Sequence, residues 1–121
     1  MLNIVDFPLL LLKYVVRFNL FVIFATQLIR EKMIRHYRYK VILKKSSGGF
    51  RFPVMEFAYR FNIKGSVKKI QGFEYVVEAE GEEVNLAVFK IWLQEGPIGS
   101  PVATLVEEEK PVANLTTFDI A

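Results

Sequence analysis

The chain has 121 residues, of which 52% are hydrophobic, and a formal net charge of +3. This length supports one ordinary domain with a single buried core and is too short for two. Cysteine is absent, which excludes disulfides, thiolate metal sites and a cysteine nucleophile. That composition is compatible with a reducing compartment, and we expect a cytoplasmic protein, membrane-associated if its apolar N-terminal segment is native.

Charge is distributed unevenly along the chain. Residues 1–45 contain nine Lys and Arg against two Asp and Glu, whereas residues 46–121 contain seven against eleven. Binding to nucleic acid needs clustered cations along one face of a folded domain. Because residues 46–121 carry more acidic than basic side chains, we do not expect a nucleic-acid partner.

A hydrophobic N-terminal extension, residues 1–32, precedes a domain that we expect to span residues 33–121. Residues 7–29 are long and apolar enough to cross a bilayer as a helix. Lys13 and Arg17 interrupt that stretch, and each charge near the centre of a span costs about 2.5–3.5 kcal/mol. The extension is therefore predicted to be helical but is a poor membrane span.

Three interpretations of this extension stay open. The first is that Met33 is the native start of the protein. The second is that the segment anchors the protein in a membrane, with the following basic residues on the cytoplasmic side. The third is a helix that packs on the domain or on another copy. In the last two cases, residues 7–29 carry membrane association or self-association.

The first predicted strand and helix flank a loop that contains two glycines. Residues 37–44 mix aromatic and β-branched side chains with cations and predict a strand. The stretch Ser46-Ser47-Gly48-Gly49 favours a turn. Residues 51–61 then predict a helix, because Pro53 suits a first turn and the apolar side chains recur at helical spacing. The apolar positions are Val54, Phe57, Ala58 and Phe61.

The rest of the chain predicts a hairpin, a second helix and two more strands. Residues 64–70 and 73–80 are strands joined through Gln71-Gly72. Residues 82–94 are a helix that stops at Gly96-Pro97. The core positions of this helix are Leu86, Phe89 and Leu93, and the final strands are residues 102–108 and 115–120.

The predicted order is βαββαβ with a short final strand. This order is typical of an α+β fold, the ferredoxin-like sandwich, in which an antiparallel sheet carries both helices on one face. No internal repeat or low-complexity tract interrupts it.

Five segments between Val41 and Ile120 follow one another in an order that is similar to that of a known family. They read Val-Ile-Leu-Lys-Lys-Ser-Ser-Gly-Gly-Phe-Arg from Val41, Ile-Lys-Gly-Ser-Val-Lys-Lys from Ile63, Val-Val-Glu-Ala-Glu-Gly from Val76, Trp-Leu-Gln-Glu-Gly-Pro from Trp92 and Thr-Thr-Phe-Asp-Ile from Thr116. In order and spacing these segments resemble the acylphosphatases, small enzymes that hydrolyse the carboxyl–phosphate bond of acyl phosphates. The resemblance implies the same fold, an acyl phosphate or another phosphate-like anion as the small-molecule partner, and no cofactor.

The resemblance also implies a phosphate-binding loop. The family's loop reads Gly-x-Val-Gln-Gly-Val-x-Phe-Arg, and its backbone N–H groups surround the phosphate. The corresponding stretch here runs from Leu43 to Arg51, and only its Phe-Arg end matches. By the resemblance Arg51 binds the phosphate, where a guanidinium and a helix N-terminus both favour an anion. The substrate-binding loop positions are Lys45, Ser46, Ser47, Gly48, Gly49 and Phe50.

The second catalytic position implied by the resemblance is occupied by a different residue. The family places an asparagine at the end of Lys-Gly-Trp-Val-x-Asn to position the attacking water, and Lys69 stands there in this chain. An ammonium has three donors and no acceptor, so it cannot accept a hydrogen bond from water as an amide oxygen does. It can still attract phosphate. We therefore expect weak or absent hydrolysis with anion binding retained.

Two function hypotheses follow. The first is a cofactor-free acylphosphatase in which Arg51 and the loop amides hold the phosphate while water attacks in line. The second is a catalytically inactive domain of the same fold that binds an anion or a protein partner, because fold and function are separable.

Other polar residues are weaker candidates. His36, the single histidine, is interpreted as a strand-edge side chain rather than a base or a metal ligand. The acidic clusters Glu107-Glu108-Glu109 and Glu80, Glu82 and Glu83 are interpreted as solvated faces. No metal site is proposed.

Overall fold

The computed structural model describes residues 17–25, 33–45 and 48–121. They belong to two units, Met1–Lys32 and Met33–Ala121. In the first unit residues 17–25 are helical, and the rest of the predicted extension, including most of residues 7–29, lies outside the described residues. Across the described ranges, no helix is both long and apolar enough to cross a membrane.

The second unit has an α+β fold with one mixed sheet. Its elements in chain order are β1 (Ile34–Leu43), α1 (Arg51–Arg60), β2 (Lys64–Gln71), β3 (Glu74–Glu82), α2 (Glu83–Glu95), β4 (Val102–Lys110) and β5 (Phe118–Ile120). The strands lie in the order β4-β1-β3-β2-β5. This arrangement confirms the ferredoxin-like prediction. One pairing differs from the predicted antiparallel sheet, because β5 runs parallel to β2.

Both helices cover one face of the sheet. Val54 and Ala58 of α1 are buried, as are three residues of α2. Alternate residues of the central strands, such as Tyr39, Val41 and Val77, point to the same core. An aromatic cluster joins the two helices: Phe57 stacks on Trp92 with ring centroids 4.5 Å apart. The predicted helix stripe Leu86, Phe89 and Leu93 is buried and forms part of this core, as expected.

The opposite face of the sheet is partly covered by the segment 111–117, which connects β4 at one edge with β5 at the other. Glu80 on β3 is only 3% exposed. Its carboxylate accepts hydrogen bonds from the N–H groups of Ala113 at 2.6 Å and Leu115 at 2.7 Å. His36 on β1 lies beside it, with Nδ1 2.9 Å from the carbonyl oxygen of Pro111.

These contacts correct two sequence interpretations. His36 is not at a strand edge, because β1 lies between β4 and β3, and the side chain is buried. Glu80 is not on a solvated face, because the connecting segment covers it. The same contacts explain why the last strand begins at Phe118 and not at residue 115: the N–H of Leu115 donates to Glu80 and is not available to the strand ladder.

Gly65 fixes the close contact between β2 and β3. Its φ is +147°, and a Cβ at this position would collide with the carbonyl oxygen of Glu78. The Gly65 N–H donates to the carbonyl oxygen of Thr117 at 2.8 Å, which aligns the start of β5 with β2. Glycine is therefore required by both the backbone conformation and the available space.

Candidate functional site

The loop between β1 and α1, residues 44–50, is held firmly at both ends. At its start, the Leu43 N–H donates to Phe73 O and the Lys44 N–H donates to Pro101 O, each at 2.9 Å. At its end, Phe50 is 1% exposed and its ring packs on Tyr75 with centroids 4.6 Å apart. Backbone hydrogen bonds thus anchor the start of the loop, and packing of Phe50 in the core anchors its end.

The described residues in the middle of the loop are exposed. Lys45, Gly48 and Gly49 lie at the surface, and Ser46 and Ser47 lie outside the described residues. Neither glycine has a φ in the left-handed region, and a Cβ at either position would meet no atom within 4 Å. The two glycines are therefore not required by local geometry.

The N-terminus of α1 carries no acid and no side-chain cap. Its N-cap is Phe50, and the first turn contains no Asp or Glu. The first N–H groups of a helix have no partner within the helix, and they lie at the positive end of the helix dipole. By contrast, the first turn of α2 contains Glu83. The start of α1 is therefore the helix end that favours an anion.

Arg51 is the first residue of α1 and is exposed. Its Nη1 donates to the carbonyl oxygen of Ala121 at 3.4 Å, which is a long and therefore weak hydrogen bond. In the described chain, no side-chain carboxylate forms an ion pair with this guanidinium. As far as the described residues go, most of its donors are thus available to an added anion.

Lys69 lies on the same face of the sheet and at the same end. Gly65 and Val67 are buried on the helix-covered side of β2, and Ser66 between them is only partly buried, so the exposed Lys69, two residues further on, points to the same side. Its partner across the ladder is Tyr75, the residue that contacts Phe50. The Ala121 N–H also donates to Val67 O at 2.9 Å. The sheet register therefore brings the segments that carry Lys69 and Arg51 to one end of the core.

Six of the described cations elsewhere in the domain are paired with carboxylates. Arg38 Nη2 lies 2.8 Å from Glu78 Oε1, and this hydrogen-bonded guanidinium holds the pKa of Glu78 below its usual value. The further pairs are Arg35 with Glu109, Lys40 with Glu74, Arg60 with Glu56, Lys90 with Glu107 and Lys110 with Glu108. Over residues 33–45 and 48–121, Arg51 and Lys69 belong to the cations that lack such a side-chain partner.

Two open hollows lie near these elements, and neither was foreseen from the sequence. One, of about 370 Å³, lies between the helices and is lined by Pro53, Glu56, Phe57, Arg60, Trp92, Pro97 and Ile98. The other, of about 440 Å³, lies at the β2–β3 hairpin and is lined by Ile42, Gln71, Gly72, Phe73 and Glu74. The sequence feature that could have indicated the second hollow is Phe73, an apolar residue directly after the turn residue Gly72.

The described side chains do not favour a bound metal ion. In the part of the chain that the structure describes, no three His, Asp or Glu side chains converge as ligands. The available groups are two cations and the backbone N–H groups at the start of a helix, which suit an anion such as phosphate.

Comparison with known proteins agrees with this chemistry. A family model described as acylphosphatase matches residues 47–120. The acylphosphatase of Actinobacillus pleuropneumoniae is 40% identical over 62 residues, which cover 51% of this chain and 69% of that protein. The crystal structure of the acylphosphatase from Bacillus subtilis has a TM-score of 0.67 and 27% identity, covering 74% of this chain and 99% of the other. Full-length HypF in its phosphate- and nucleotide-bound form has a TM-score of 0.65 and 27% identity, covering 74% of this chain and 12% of its own.

Proposed function

This chain belongs to the acylphosphatase family, and from that premise we propose that it hydrolyses acyl phosphates weakly at the loop 44–50. The observation that carries the proposal is the uncapped, acid-free start of α1, with the guanidinium of Arg51 beside it, which pairs with no side-chain carboxylate of the described residues. A transferring phosphoryl group spreads negative charge over its oxygens, and fixed N–H donors stabilise that charge without reorganisation.

In the proposed reaction, Arg51 and the backbone N–H groups of the loop bind the phosphate oxygens. A water oxygen forms a bond to phosphorus while the bond between phosphorus and the bridging oxygen breaks. The carboxylate leaves with the electron pair of that bond, and the water proton passes to solvent, so the products are a carboxylate and inorganic phosphate. No cofactor enters the reaction.

Lys69 is the reason to expect slow turnover. Its ammonium attracts the phosphate but has no lone pair with which to orient the water. We propose that Lys69 strengthens anion binding more than it accelerates hydrolysis.

The test is hydrolysis of benzoyl phosphate by the full chain, measured as released inorganic phosphate. Arg51→Ala is expected to lower kcat/KM by about 10²–10³-fold, as the loss of one oxyanion donor does elsewhere. The matched control is Arg60→Ala, which removes an exposed arginine from the same helix outside the loop. Equal rates for Arg51→Ala and the wild-type chain would contradict the proposed role of Arg51.

Lys69→Asn separates the hydrolase from the alternative, an inactive anion-binding domain. If the scaffold is competent, the amide raises kcat while phosphate affinity falls because a positive charge is lost. If the variant remains inactive but phosphate still raises the melting temperature of the wild-type chain, the protein is a binding domain. Lys68→Asn, on the neighbouring and oppositely directed side chain, controls for the change of charge.

A second proposal concerns the helical residues 17–25. Five of their apolar side chains are more than half exposed: Phe18, Leu20, Phe21, Ile23 and Phe24. Such a surface is unfavourable in water unless it is covered. We propose that it attaches an otherwise cytoplasmic protein to a membrane surface or to a second copy. Vesicle flotation and light scattering distinguish the two, and a monomer that does not bind vesicles would exclude both.

A further inference from the structure

His36 lies on the face of the sheet opposite the helices, beneath the connecting segment 111–117. Only 6% of the residue is exposed. Its Nδ1 is 2.9 Å from the carbonyl oxygen of Pro111, and its Nε2 is 3.4 Å from Oε2 of Glu78 on the neighbouring strand. Both ring nitrogens therefore face an oxygen that accepts hydrogen bonds and has none to donate.

A neutral imidazole cannot satisfy both of these contacts. It carries one ring proton, so one nitrogen donates and the other presents a lone pair. With the proton on Nδ1, the lone pair of Nε2 faces the Glu78 carboxylate, and Nε2 is buried without a hydrogen-bond partner among the described residues. With the proton on Nε2, the lone pair of Nδ1 faces the Pro111 oxygen. An imidazolium has two N–H donors and matches both oxygens.

The charged side chains around His36 favour a cation at this position. Glu80 lies directly opposite it on β3, with Oε2 3.8 Å from Nδ1. Glu78 uses Oε1 to bind Arg38, which leaves Oε2 to the imidazole. Lys64 of β2 lies one strand further away, opposite Glu80. The connecting segment contributes no titratable side chain. Among the described residues, the charged groups on this face of β1, β3 and β4 around the ring are the carboxylates Glu78, Glu80, Glu82 and Glu108 and the cations Arg38 and Lys110. Negative charge therefore predominates around His36.

The contact at Nδ1 fastens the start of the connecting segment. Pro111 is its first residue, directly after β4. Further along, the N–H groups of Ala113 and Leu115 donate to Glu80. His36 and Glu80 are therefore two successive attachment points, and histidine is the side chain type whose charge ordinarily changes near neutral pH.

We propose that His36 is a proton-operated latch on the segment 111–117. When both ring nitrogens carry protons, the imidazolium joins the Pro111 carbonyl oxygen to the Glu78 carboxylate. When one of these protons leaves to solvent, one contact is lost and the segment opens more readily. The folded chain thus binds this proton more tightly than the unfolded chain, so the latch stabilises the segment while His36 is protonated and loses its effect as the pH rises. Neither Arg51 nor Lys69 takes part, so the latch does not depend on the proposed hydrolysis.

The first measurement follows the imidazole nitrogen resonances of the full chain from about pH 5 to pH 9. His36 is the single histidine, so its signals are identified without a variant. We expect the folded chain to keep both ring protons to a higher pH than the same chain unfolded in urea. Loss of the proton at the same or a lower pH in the folded chain would overturn the latch.

The second measurement is hydrogen exchange at the N–H groups of Ala113 and Leu115 over the same pH range, each rate taken relative to the intrinsic rate at that pH. A hydrogen bond to a charged group changes an opening equilibrium by about tenfold or more, so we expect protection to fall about tenfold as the pH rises. The N–H of Val41, in the central strand β1, is the internal reference and should keep its protection. A parallel loss at Val41 would overturn a latch that acts on the segment.

Two variants test whether His36 causes this change. His36→Asn does not titrate, but its amide can donate to Pro111 from a position close to that of Nδ1, so we expect the pH dependence of protection to disappear. Glu78→Gln keeps the histidine and removes the carboxylate that Nε2 faces. It should also reduce the pH dependence, and it decides the question if His36→Asn does not fold.

Glu108→Gln is the matched control, because it removes a carboxylate of the same face that is paired with Lys110. This variant should retain the tenfold change in protection. The latch would be overturned if the change persisted in full in His36→Asn or Glu78→Gln, or if Glu108→Gln removed it as effectively as they do.

Discussion

The two ends of the sheet use their polar residues in opposite ways. At one end, Glu80 and His36 are buried beneath the connecting segment 111–117, and the Glu80 carboxylate binds two backbone N–H groups. At the other end, Arg51 and Lys69 are exposed and lack a side-chain carboxylate within the described residues. The buried end holds the topology together, whereas the exposed end keeps its positive charge available.

The largest expected effect is at the buried end. Gly65→Ala would place a Cβ against the carbonyl oxygen of Glu78 at a φ that L-residues rarely adopt, and we expect a loss of about 3 kcal/mol or more in the free energy of unfolding. Urea denaturation followed by circular dichroism measures it. Gly72→Ala is the control, because its Cβ would meet open space and only its φ of +48° opposes the change. Similar losses in the two variants would show that steric contact at Gly65 is unimportant.

Removal of the Glu80 charge comes next. Glu80→Gln leaves one oxygen for the two N–H groups of Ala113 and Leu115, and we expect a loss of about 2–3 kcal/mol because a buried donor loses its charged acceptor. Denaturant unfolding gives the value. Glu108→Gln, on an exposed side chain of β4, is the matched control and should change stability far less than Glu80→Gln does, because water screens its ion pair with Lys110. If Glu80→Gln left the free energy of unfolding unchanged, the segment 111–117 would be held by its other contacts and not by the Glu80 carboxylate.

The acid dependence of stability gives a smaller effect. The pKa of Glu78 is below its usual 4.5 because Arg38 donates hydrogen bonds to it. The folded state thus binds the proton less readily than the unfolded chain, so this contribution is present above the unfolded pKa and is lost as pH falls through the folded pKa. We expect Arg38→Gln to lower stability by about 1 kcal/mol or less at pH 7.

The check on this prediction is the urea midpoint of the wild-type chain and of Arg38→Gln at pH 7 and at several values from pH 5 downwards. The difference between them should shrink as the pH falls below about 4.5. Arg60→Gln, which breaks an exposed pair on α1, is the charge-matched control. A difference that grows in acid would show that Arg38 does not act through the Glu78 carboxylate.

The smallest effect is expected at the exposed end. Gly48→Ala meets no atom and needs no left-handed φ, so its cost in stability should be near zero, or the variant should be more stable by up to about 1 kcal/mol. Thermal unfolding without ligand measures it, and phosphate titration of the same variant reports whether the loop amides are still usable. A large loss of stability would show that the loop supports the fold and does not only bind a ligand.

Local sequence patterns determined most of the elements. Alternating and helical spacings predicted α1, α2 and the first four strands within a few residues, because a side chain's face depends on its position in its own element. The resemblance also indicated that Arg51 begins a helix, which the structure confirms. The catalytic roles of Arg51 and Lys69 stay predictions.

Tertiary structure alone decided the contacts between distant segments. Glu80 is buried because Ala113 and Leu115, more than 30 positions later in the chain, lie over it. The residues next to Glu80 in the sequence give no sign of this contact. The parallel pairing of β5, the shared face of Lys69 and Phe50, and the hollow beside Phe73 likewise depend on register between strands. The physical reason is that propensity and periodicity act within one element, whereas burial of a polar group and the shape of a site depend on which other elements pack against it.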